Sequence, residues 1–368
     1  MQKILLVTNS VWNIINFRQG LINKINSKNC KIIISAPPDI HQKKLNLTKY
    51  NYLPINYQRK TFNIFENLRI IFFYIKLIYF QKPTKILLYT IKPNIFVSIA
   101  TLFLLKKLHI YNFITGIGNS YFESKFKKKI IFYLYKIAFL KSTKVIFQNQ
   151  EDLNFFIVNK LINQNKCVLI PGSGIDCKKF KFQLLKKNNK ENFNFLCVSR
   201  LIKHKGINEF IKAAKLIKNE FINVSFTLIG SLDNDYSKQI DINLLNDFKN
   251  MFSYEEYTEN VVKYINLCDC FVLPSYREGT SRALLEAAAV GRPIVTTDVP
   301  GCNNIVINNF NGYLCQPRDE FSLYTSLKNM INTDYETRKK MSVNGRNHIV
   351  KKFELNIINN KIIETIEI

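Results

Sequence analysis

Short runs of apolar residues alternate with longer segments of helical periodicity along most of the chain. In the first half these runs are Ile4–Val7, Ile32–Ser35, Ile86–Tyr89 and Val145–Phe147, and four more follow Phe193. Apolar runs of four or five residues are typical of strands buried on both faces, as in parallel sheets covered by helices. The pattern therefore predicts an α/β fold with two Rossmann-like, doubly wound parallel sheets.

The length of the chain agrees with two domains. A chain of 368 residues exceeds one ordinary core, and a hydrophobic content of 47% is that of a packed protein. We predict an N-terminal domain over residues 1–172 and a C-terminal domain over 173–350, with a last helix at about 350–368 that returns to the first domain. Ligands of such sheets bind beyond the carboxyl ends of the strands, so we expect the domains to face each other across a cleft.

One segment of the second half combines a strand, a loop and a helix with two acids. Cys270–Leu273 reads as a buried strand ended by Pro274, and Ala283–Ala289 as a helix that stops at Gly291. We expect Thr280 or Ser281 to cap this helix with a hydroxyl. Glu278 then precedes the helix, and Glu286 lies about two turns inside it.

The spacing of Glu278 and Glu286 argues against joint attack on one glycosidic bond. At about 1.5 Å per residue the carboxylates stand roughly 10 Å apart, whereas paired acids of a glycosidase lie about 5 to 9.5 Å apart. Two ends of one extended ligand suit them better, with Glu286 on ribose hydroxyls and Glu278 on a sugar beyond a diphosphate. The alternative is a helix-capping acid plus a partly buried glutamate paired with a base.

Glu278-x7-Glu286, followed by Gly291-Arg292-Pro293, resembles the donor-binding signature of the GT4 glycosyltransferases, which have the GT-B fold. Arg200 and Lys205-Gly206 resemble the Arg-x4-Lys-Gly element of that family. Further similar landmarks follow the family's order, at Phe147–Asp152, Ile170–Asp176 and Phe226–Gly230. The likeness spans nearly the whole chain and is greatest to bacterial enzymes that build surface polysaccharides on undecaprenyl diphosphate.

The resemblance implies a retaining transfer of a hexose or N-acetylhexosamine from a nucleotide sugar, with UDP expected, to a lipid-diphosphate-linked saccharide of O-antigen, capsule or a related glycan. Arg200 and Lys205 would neutralise the donor diphosphate, and Glu278 would orient the sugar, so these three are the predicted catalytic residues. Glu286 would bind the ribose. Backbone N–H groups of Gly279, Thr280 and Ser281 would complete the donor site.

The first half departs from the family in two loops. Thr8–Asn13 stands where many members have Gly-Gly, and Ile114–Asn119 stands where many have a histidine before a glycine. We take Asn13, Arg18, Thr115 and Gly116 as candidates for acceptor binding. The stretch Asn250–Glu259 lacks the usual glycine near the nucleotide base, so the base cannot be deduced from it.

Positive charge is concentrated in the N-terminal half. Residues 1–180 hold 28 Lys and Arg against 6 Asp and Glu, whereas residues 181–368 hold 25 against 21. Lysines and aromatic residues mix in Lys60–Lys85 and Phe122–Lys144, which suits an anionic membrane surface. Either the aromatic side chains enter the bilayer, or they pack inside the domain and only the lysines reach it. We predict a cytoplasmic protein, peripheral on the inner face of the cytoplasmic membrane.

The remaining motifs favour no cofactor. The eight cysteines lack metal-ligand spacing, and Asp233-x-Asp235 reads as an acidic turn, so we expect no obligatory metal. Basic and aromatic composition also suits nucleic acid, but a binding module would not account for the ordered acids and bases, and we expect no nucleic-acid partner. Two alternatives remain: a sugar-nucleotide epimerase of similar architecture, and a non-catalytic subunit of a glycosyltransferase complex.

Overall fold

The structure is a computed structural model that describes residues 2–45, 50–58, 63–117, 124–186, 192–232 and 240–368. The strands in these ranges are β1 Lys3–Val7, β2 Lys31–Ser35, β3 Asn51–Tyr52, β4 Lys85–Tyr89, β5 His109–Ile114, β6 Lys144–Phe147, β7 Cys167–Leu169, β8 Phe193–Val198, β9 Val224–Ile229, β10 Ser253–Glu255, β11 Cys270–Leu273, β12 Ile294–Thr297 and β13 Gly312–Cys315. The α-helices are α1 Val11–Phe17, α2 Gln19–Asn26, α3 Ile64–Gln81, α4 Ser98–Leu102, α5 Lys125–Ala138, α6 Gln150–Val158, α7 Ile207–Glu220, α8 Ile242–Met251, α9 Val261–Leu267, α10 Arg282–Val290, α11 Glu320–Asn332, α12 Tyr335–Lys352 and α13 Leu355–Thr365.

The chain divides into two compact units. Unit 1 comprises Met1–Gly174 and Leu355–Ile368, and unit 2 comprises Ile175–Glu354. The last helix, α13, therefore belongs to unit 1, where it packs against α2. The division falls two residues after the predicted one, and the chain returns to unit 1 after Glu354.

Each unit is built on one parallel sheet, as the apolar runs predicted. The order is β3-β2-β1-β4-β5-β6-β7 in unit 1 and β10-β9-β8-β11-β12-β13 in unit 2. In unit 1, α3 to α5 cover one face of the sheet, and α1, α2 and α13 cover the other. In unit 2, α7, α8 and α11 cover one face, and α9, α10 and α12 cover the other. The prediction of two doubly wound parallel sheets is confirmed.

β5 was not among the predicted strands because two polar residues interrupt its apolar run. Asn112, in its middle, is completely buried. Its amide donates to Ser98 Oγ at 2.9 Å, and its Oδ1 accepts from Ser142 Oγ at 2.7 Å. A buried amide is tolerated when its hydrogen bonds are made, so tertiary partners let this strand occupy the interior.

The strand orders place one switch point in each sheet. The chain leaves β1 toward β2 on one side, and β4 lies on the other side of β1. In unit 2 the corresponding pair is β8 and β11. Loops at the carboxyl ends of such a pair diverge and leave a crevice, where ligands of open α/β sheets bind.

Candidate active site

The loops that follow β8 and β11 are in contact through their backbones. A 3-10 turn at Lys203–Lys205 ends at Gly206, whose φ of 68° lies in the left-handed region. A Cβ at Gly206 would lie 2.1 Å from the carbonyl oxygen of Pro274. The Tyr276 N–H donates to His204 O at 2.8 Å. A glycine is therefore needed for the two loops to approach this closely.

This approach brings Lys205 and Glu278 together. Lys205 Nζ forms an ion pair with Glu278 Oε1, and Ser275 Oγ donates to the same oxygen at 2.7 Å. The Lys205 side chain is 20% exposed and that of Glu278 is 13% exposed. Two residues that are 73 positions apart in sequence thus form one charged centre at the switch point of unit 2.

The loop between Glu278 and α10 is hydrogen-bonded to the loop after β12. The N–H of Glu278 donates to Pro300 O at 3.0 Å, and the N–H of Ser281 donates to Gly301 O at 3.1 Å. Ser281 occupies the N-cap position of α10, but its side chain makes no capping hydrogen bond. The expected hydroxyl cap at Ser281 is therefore wrong, and its N–H, predicted to bind the donor, is already used.

Glu286 forms an ion pair within α10. Arg282 Nε donates to Glu286 Oε1 at 2.9 Å, across one helical turn, and the two side chains are 24% and 17% exposed. Burial raises the pKa of Glu286 above that of an ordinary glutamate, while Arg282 and Lys179 oppose the rise. This arrangement matches the alternative of a partly buried glutamate paired with a base. The bond from Arg282 uses Oε1 and not Oε2.

Glu286 also lies closer to the start of its helix than predicted. Because α10 begins at Arg282, Glu286 is its fifth residue and lies in the second turn. Residues between Glu278 and Arg282 are not helical, so the axial distance of about 10 Å does not apply to this pair. Arg200, after β8, has an exposed side chain, and its carbonyl accepts from the Ile202 N–H at 2.9 Å.

Three side chains that we did not predict as site residues meet at the loop that carries Glu278. They are Tyr276, Glu209 and Arg318. The Tyr276 hydroxyl donates to Glu209 Oε1 at 2.7 Å, and the guanidinium of Arg318 lies 4.9 Å from the centre of the Tyr276 ring. Arg318 follows β13 and has a φ of 64°. Nothing in the spacing of Arg318 connects it with Tyr276, whereas the four-residue spacing of Arg282 and Glu286 indicates a helical ion pair.

Comparisons with known proteins decide the family. Residues 176–348 match the family described as "Glycosyl transferases group 1", and residues 3–149 match "Glycosyl transferase 4-like". The chain belongs to the GT4-like, group 1 glycosyltransferases. It is therefore a transferase enzyme, as predicted.

Two relatives cover much of this glycosyltransferase. It is 26% identical to the N,N'-diacetylbacillosaminyl-diphospho-undecaprenol alpha-1,3-N-acetylgalactosaminyltransferase of Campylobacter jejuni, over 94% of this chain and 93% of the relative. It is 32% identical to the UDP-Gal:alpha-D-GlcNAc-diphosphoundecaprenol alpha-1,3-galactosyltransferase of Escherichia coli, over 64% and 63% of the two chains.

A solved structure shares the fold. The Anabaena protein Alr3699/HepE, crystallised in complex with UDP and glucose, superposes with a TM-score of 0.79 at 18% identity, over 100% of both chains. At this identity the likeness concerns the fold, and it agrees with the predicted GT-B class.

The predicted acceptor residues of the glycosyltransferase lie in unit 1. Asn13 is in α1, and Arg18 follows α1 and is buried, with its guanidinium 3.9 Å from the centre of the Tyr89 ring. Thr115 and Gly116 follow β5, and Gly116 has a φ of 109°. Both segments adjoin the carboxyl end of β4. Gly118 and Asn119, from the same predicted loop, lie outside the described residues.

Metal binding gains no support from the described part of the chain. It contains no group of three or more His, Cys, Asp or Glu side chains placed to hold a metal ion. Asp233 and Asp235 lie outside the described residues, so metal independence stays a prediction. All eight cysteines are free, and six of them are buried.

Two cavities lie apart from the predicted site residues. One of about 410 Å³ in unit 1 is lined by Pro37, Pro38, Asn56, Tyr57, Gln58, Glu66 and Arg69. One of about 320 Å³ in unit 2 is lined by Lys215, Asn219, Asp247, Asn250 and Met251.

Proposed function

We propose that this enzyme is a retaining glycosyltransferase that moves a hexose or N-acetylhexosamine from a UDP-sugar to a lipid-diphosphate-linked saccharide. Its product would belong to a bacterial surface polysaccharide or a related glycan. The observation that carries the proposal is the meeting of Lys205 and Glu278 at the switch point of unit 2. A cation there suits a diphosphate leaving group, and a carboxylate suits the hydroxyls of the sugar.

The relatives support the chemistry of both substrates. Both relatives are named for a diphospho-undecaprenol-linked acceptor and an alpha-1,3 linkage, and the Escherichia coli enzyme is also named for UDP-galactose as donor. UDP-galactose is itself an α-glycoside, so that enzyme's α-linked product retains the configuration. We extend donor class, acceptor class and retention to this chain as proposals.

In the proposed mechanism the protein positions the substrates and stabilises the leaving group. Lys205 and Arg200 neutralise the diphosphate as the bond to the anomeric carbon breaks. Glu278 holds the sugar, and the free oxygen of Glu286 accepts a ribose hydroxyl. The acceptor hydroxyl forms the new bond on the face that the diphosphate leaves, and a phosphate oxygen takes its proton. No residue of the chain needs to act as a nucleophile.

The test offers the purified protein UDP-, GDP- and dTDP-sugars with short lipid-diphosphate saccharides, with and without EDTA. We expect transfer from UDP-sugars, an α-linked product by proton NMR, and equal rates with EDTA. Loss of activity in EDTA would contradict metal independence. A β-linked product would contradict retention. If no nucleotide sugar bound, the proposed function would be wrong.

We further propose that unit 1 binds an anionic membrane through its exposed aromatic face, formed by α3, α5 and the loop after α4. α3 buries Ile70, Tyr74, Leu77 and Ile78, but Phe72 and Phe80 on its other side are 62% and 72% exposed. On α5, Phe126 and Tyr133 are 73% and 65% exposed. α4 packs against both helices, and Phe103 and Leu105 are exposed in the loop after it.

Charge complementarity selects a lipid surface as the partner of this face. The same helix α5 and the loop after α4 also carry exposed lysines, namely Lys106, Lys107, Lys125, Lys127, Lys129 and Lys136. Each lysine contributes about 1 kcal/mol near an anionic leaflet. No helix among the described residues is long and apolar enough to cross a membrane. Tyr74 and Tyr135 pack inside, whereas Phe72 and Tyr133 are exposed, which supports the hypothesis that aromatic side chains enter the bilayer.

Liposome flotation tests this surface. We expect binding to phosphatidylglycerol vesicles that weakens at high salt, and little binding to phosphatidylcholine. Phe72→Ser with Phe80→Ser should weaken binding by about 100-fold or more, because each aromatic loses about 1.5–3 kcal/mol of apolar burial. Phe321→Ser is the matched control, since Phe321 is 65% exposed but lies in unit 2. Equal binding of all variants would contradict the proposed face, and preference for duplex DNA would favour a nucleic-acid partner.

A further inference from the structure

Unpaired buried hydroxyls and a strained backbone occur together at the carboxyl end of β4. β4 and β1 form the switch point of unit 1, and Tyr89 is the last residue of β4. Tyr89 is completely buried, and Thr90 follows it. The sequence predicted Tyr89 at the end of a strand, but neither residue was predicted to belong to a site.

Two hydroxyls at this strand end have no hydrogen-bond partner. Tyr89 Oη and Thr90 Oγ1 are both buried and unpaired. The amide oxygen Oδ1 of Asn13, in the helix after β1, is a third such atom. A buried polar group without a partner costs about 1–3 kcal/mol, so buried hydroxyls normally find one.

The backbone of Thr90 is also strained. Its φ of 72° lies in the left-handed region, which a β-branched residue rarely adopts. The other non-glycine residues with positive φ in the described ranges are Asn29, Lys82, Lys160, Asn309, Arg318 and Glu367, and none of them is β-branched. Such strain costs about 1–3 kcal/mol and concentrates at binding sites, where the fold holds the residue in place.

A buried cation lies against the ring of Tyr89. Arg18 is 4% exposed, and its guanidinium lies 3.9 Å from the centre of the Tyr89 ring. The same ring stacks on Phe113 with centres 4.3 Å apart. Burial raises the pKa of Tyr89 to about 12, so its hydroxyl keeps the proton and remains a donor. The Tyr89 hydroxyl is a donor on a ring that contacts a positive charge, and the Thr90 hydroxyl is an unpaired donor at the next residue. Such donors suit an anionic oxygen.

We propose that the hydroxyls of Tyr89 and Thr90, with Arg18, bind a phosphate group of the acceptor substrate. This inference rests on the proposed function and assigns the acceptor's phosphate to unit 1. Asn13 Oδ1, an acceptor, suits a sugar hydroxyl next to that phosphate. The phosphate belongs either to a lipid-linked diphosphate or to a free sugar phosphate, because both present the same oxygens to these donors.

The test separates binding from stability. In Tyr89→Phe and Thr90→Gly we expect the KM for the acceptor to rise about tenfold, the loss of one or two hydrogen bonds to a charged group. The Kd for UDP should not change. Tm should stay equal or rise, because no hydrogen bond of the folded protein is lost and glycine relieves the left-handed strain. Thr90→Ser keeps the hydroxyl and should restore most of the acceptor affinity.

Tyr111→Phe is the matched control. Tyr111 is also completely buried in this sheet, but its hydroxyl donates to Ile366 O at 3.4 Å. This variant should lower Tm and leave the acceptor KM unchanged. The proposal is overturned if Tyr89→Phe behaves in the same way, or if the acceptor KM of Tyr89→Phe equals that of the wild type.

Two further arms keep the outcomes distinct. Lipid-diphosphate saccharides and soluble sugar 1-phosphates are compared as acceptors, and the one whose KM responds to Tyr89→Phe is the source of the phosphate. Inorganic pyrophosphate is also titrated into the protein saturated with UDP. Failure of the wild type to bind UDP would refute the proposed function. UDP binding together with pyrophosphate binding that is equal in wild type and Tyr89→Phe would refute only this site.

Discussion

The two units are built on the same doubly wound plan but hold charge differently at their switch points. In unit 2, Lys205 pairs with Glu278, and Arg282 pairs with Glu286. In unit 1, the buried hydroxyls of Tyr89 and Thr90 have no hydrogen-bond partner, and Arg18 lies against the Tyr89 ring. Ion pairs hold the side chains of the unit 2 site, whereas the unit 1 site has two buried hydroxyls that make no hydrogen bond. A shared architecture therefore sets where a ligand binds, and the loops set which charges it meets.

The outer surfaces differ in the same sense. The residues up to 180 carry 28 basic against 6 acidic side chains, whereas the remainder is nearly balanced at 25 against 21. Aromatic residues are exposed on α3 and α5 of unit 1. The difference fits the proposed function, in which unit 1 takes a membrane-associated acceptor and unit 2 a nucleotide sugar.

The largest expected effect tests the charged centre of unit 2. Lys205→Ala should lower kcat by about 10²–10³-fold, the usual cost of removing one group that stabilises transition-state charge. Lys215→Ala is the control, because Lys215 pairs with Asp247 at 2.6 Å on another surface of unit 2. Steady-state kinetics measure both. Equal rates for the two variants would remove Lys205 from the mechanism.

A backbone change tests whether the close approach of two loops holds that centre. Gly206→Ala adds a Cβ 2.1 Å from Pro274 O at a φ of 68°. Left-handed strain and the clash together should cost about 2–4 kcal/mol of unfolding free energy, and should lower activity by displacing Lys205. Gly345→Ala, whose Cβ would have no contact closer than 3.6 Å, should be neutral. Calorimetry that found the two variants equally stable would contradict this account.

A buried lysine tests how unit 1 holds its last helix. Lys85 Nζ donates to the carbonyl oxygens of Ile366 and Glu367, at 2.5 and 2.8 Å. Lys85→Met should lower the unfolding free energy by about 1–2 kcal/mol, because carbonyls after α13 lose their donor. Activity per folded molecule should be unchanged. An unchanged Tm would show that packing against α2 alone holds α13.

The smallest expected effect concerns the pH dependence of donor binding. Burial raises the pKa of Glu286, and Arg282 opposes that rise. Arg282→Gln should therefore raise this pKa further, so that the carboxylate is lost, and UDP affinity with it, at a higher pH. One pKa unit corresponds to about a tenfold change in affinity below that pH.

Calorimetric titration of UDP from pH 5 to 8 measures this shift. Arg282→Lys should restore the wild-type profile, and Glu286→Gln should abolish the pH dependence. Because the pKa of Glu286 is raised in the folded state, its contribution to the unfolding free energy falls as pH rises. The loss of unfolding free energy in Arg282→Gln should therefore be larger at neutral than at acid pH. Superimposable wild-type and Arg282→Gln profiles would exclude this role for Arg282.

Local patterns were enough to predict much of both sheets and, within the site, the strand, loop and helix around Glu278. Cys270–Leu273, Pro274, Gly291 and the alanines between them identify β11 and α10 to within a residue or two. Glu278 was therefore placed in the correct loop. The predicted capping role of Ser281 was wrong. The hydrogen bond from its N–H to Gly301 O depends on a loop about 20 residues away, which no local pattern could predict.

The sequence by itself determined that this protein has two parallel-sheet domains, that it belongs to a glycosyltransferase family, and where its positive charge is concentrated. The sheets and the charge follow from periodicity and composition, and the family follows from the resemblance of its motifs. None of these needs knowledge of distant contacts. Only the tertiary structure decided that Lys205 meets Glu278, that Arg318 reaches Tyr276, and that the hydroxyls of Tyr89 and Thr90 are buried without a partner. Those facts depend on strand order and on the approach of separate loops, and no local pattern encodes either.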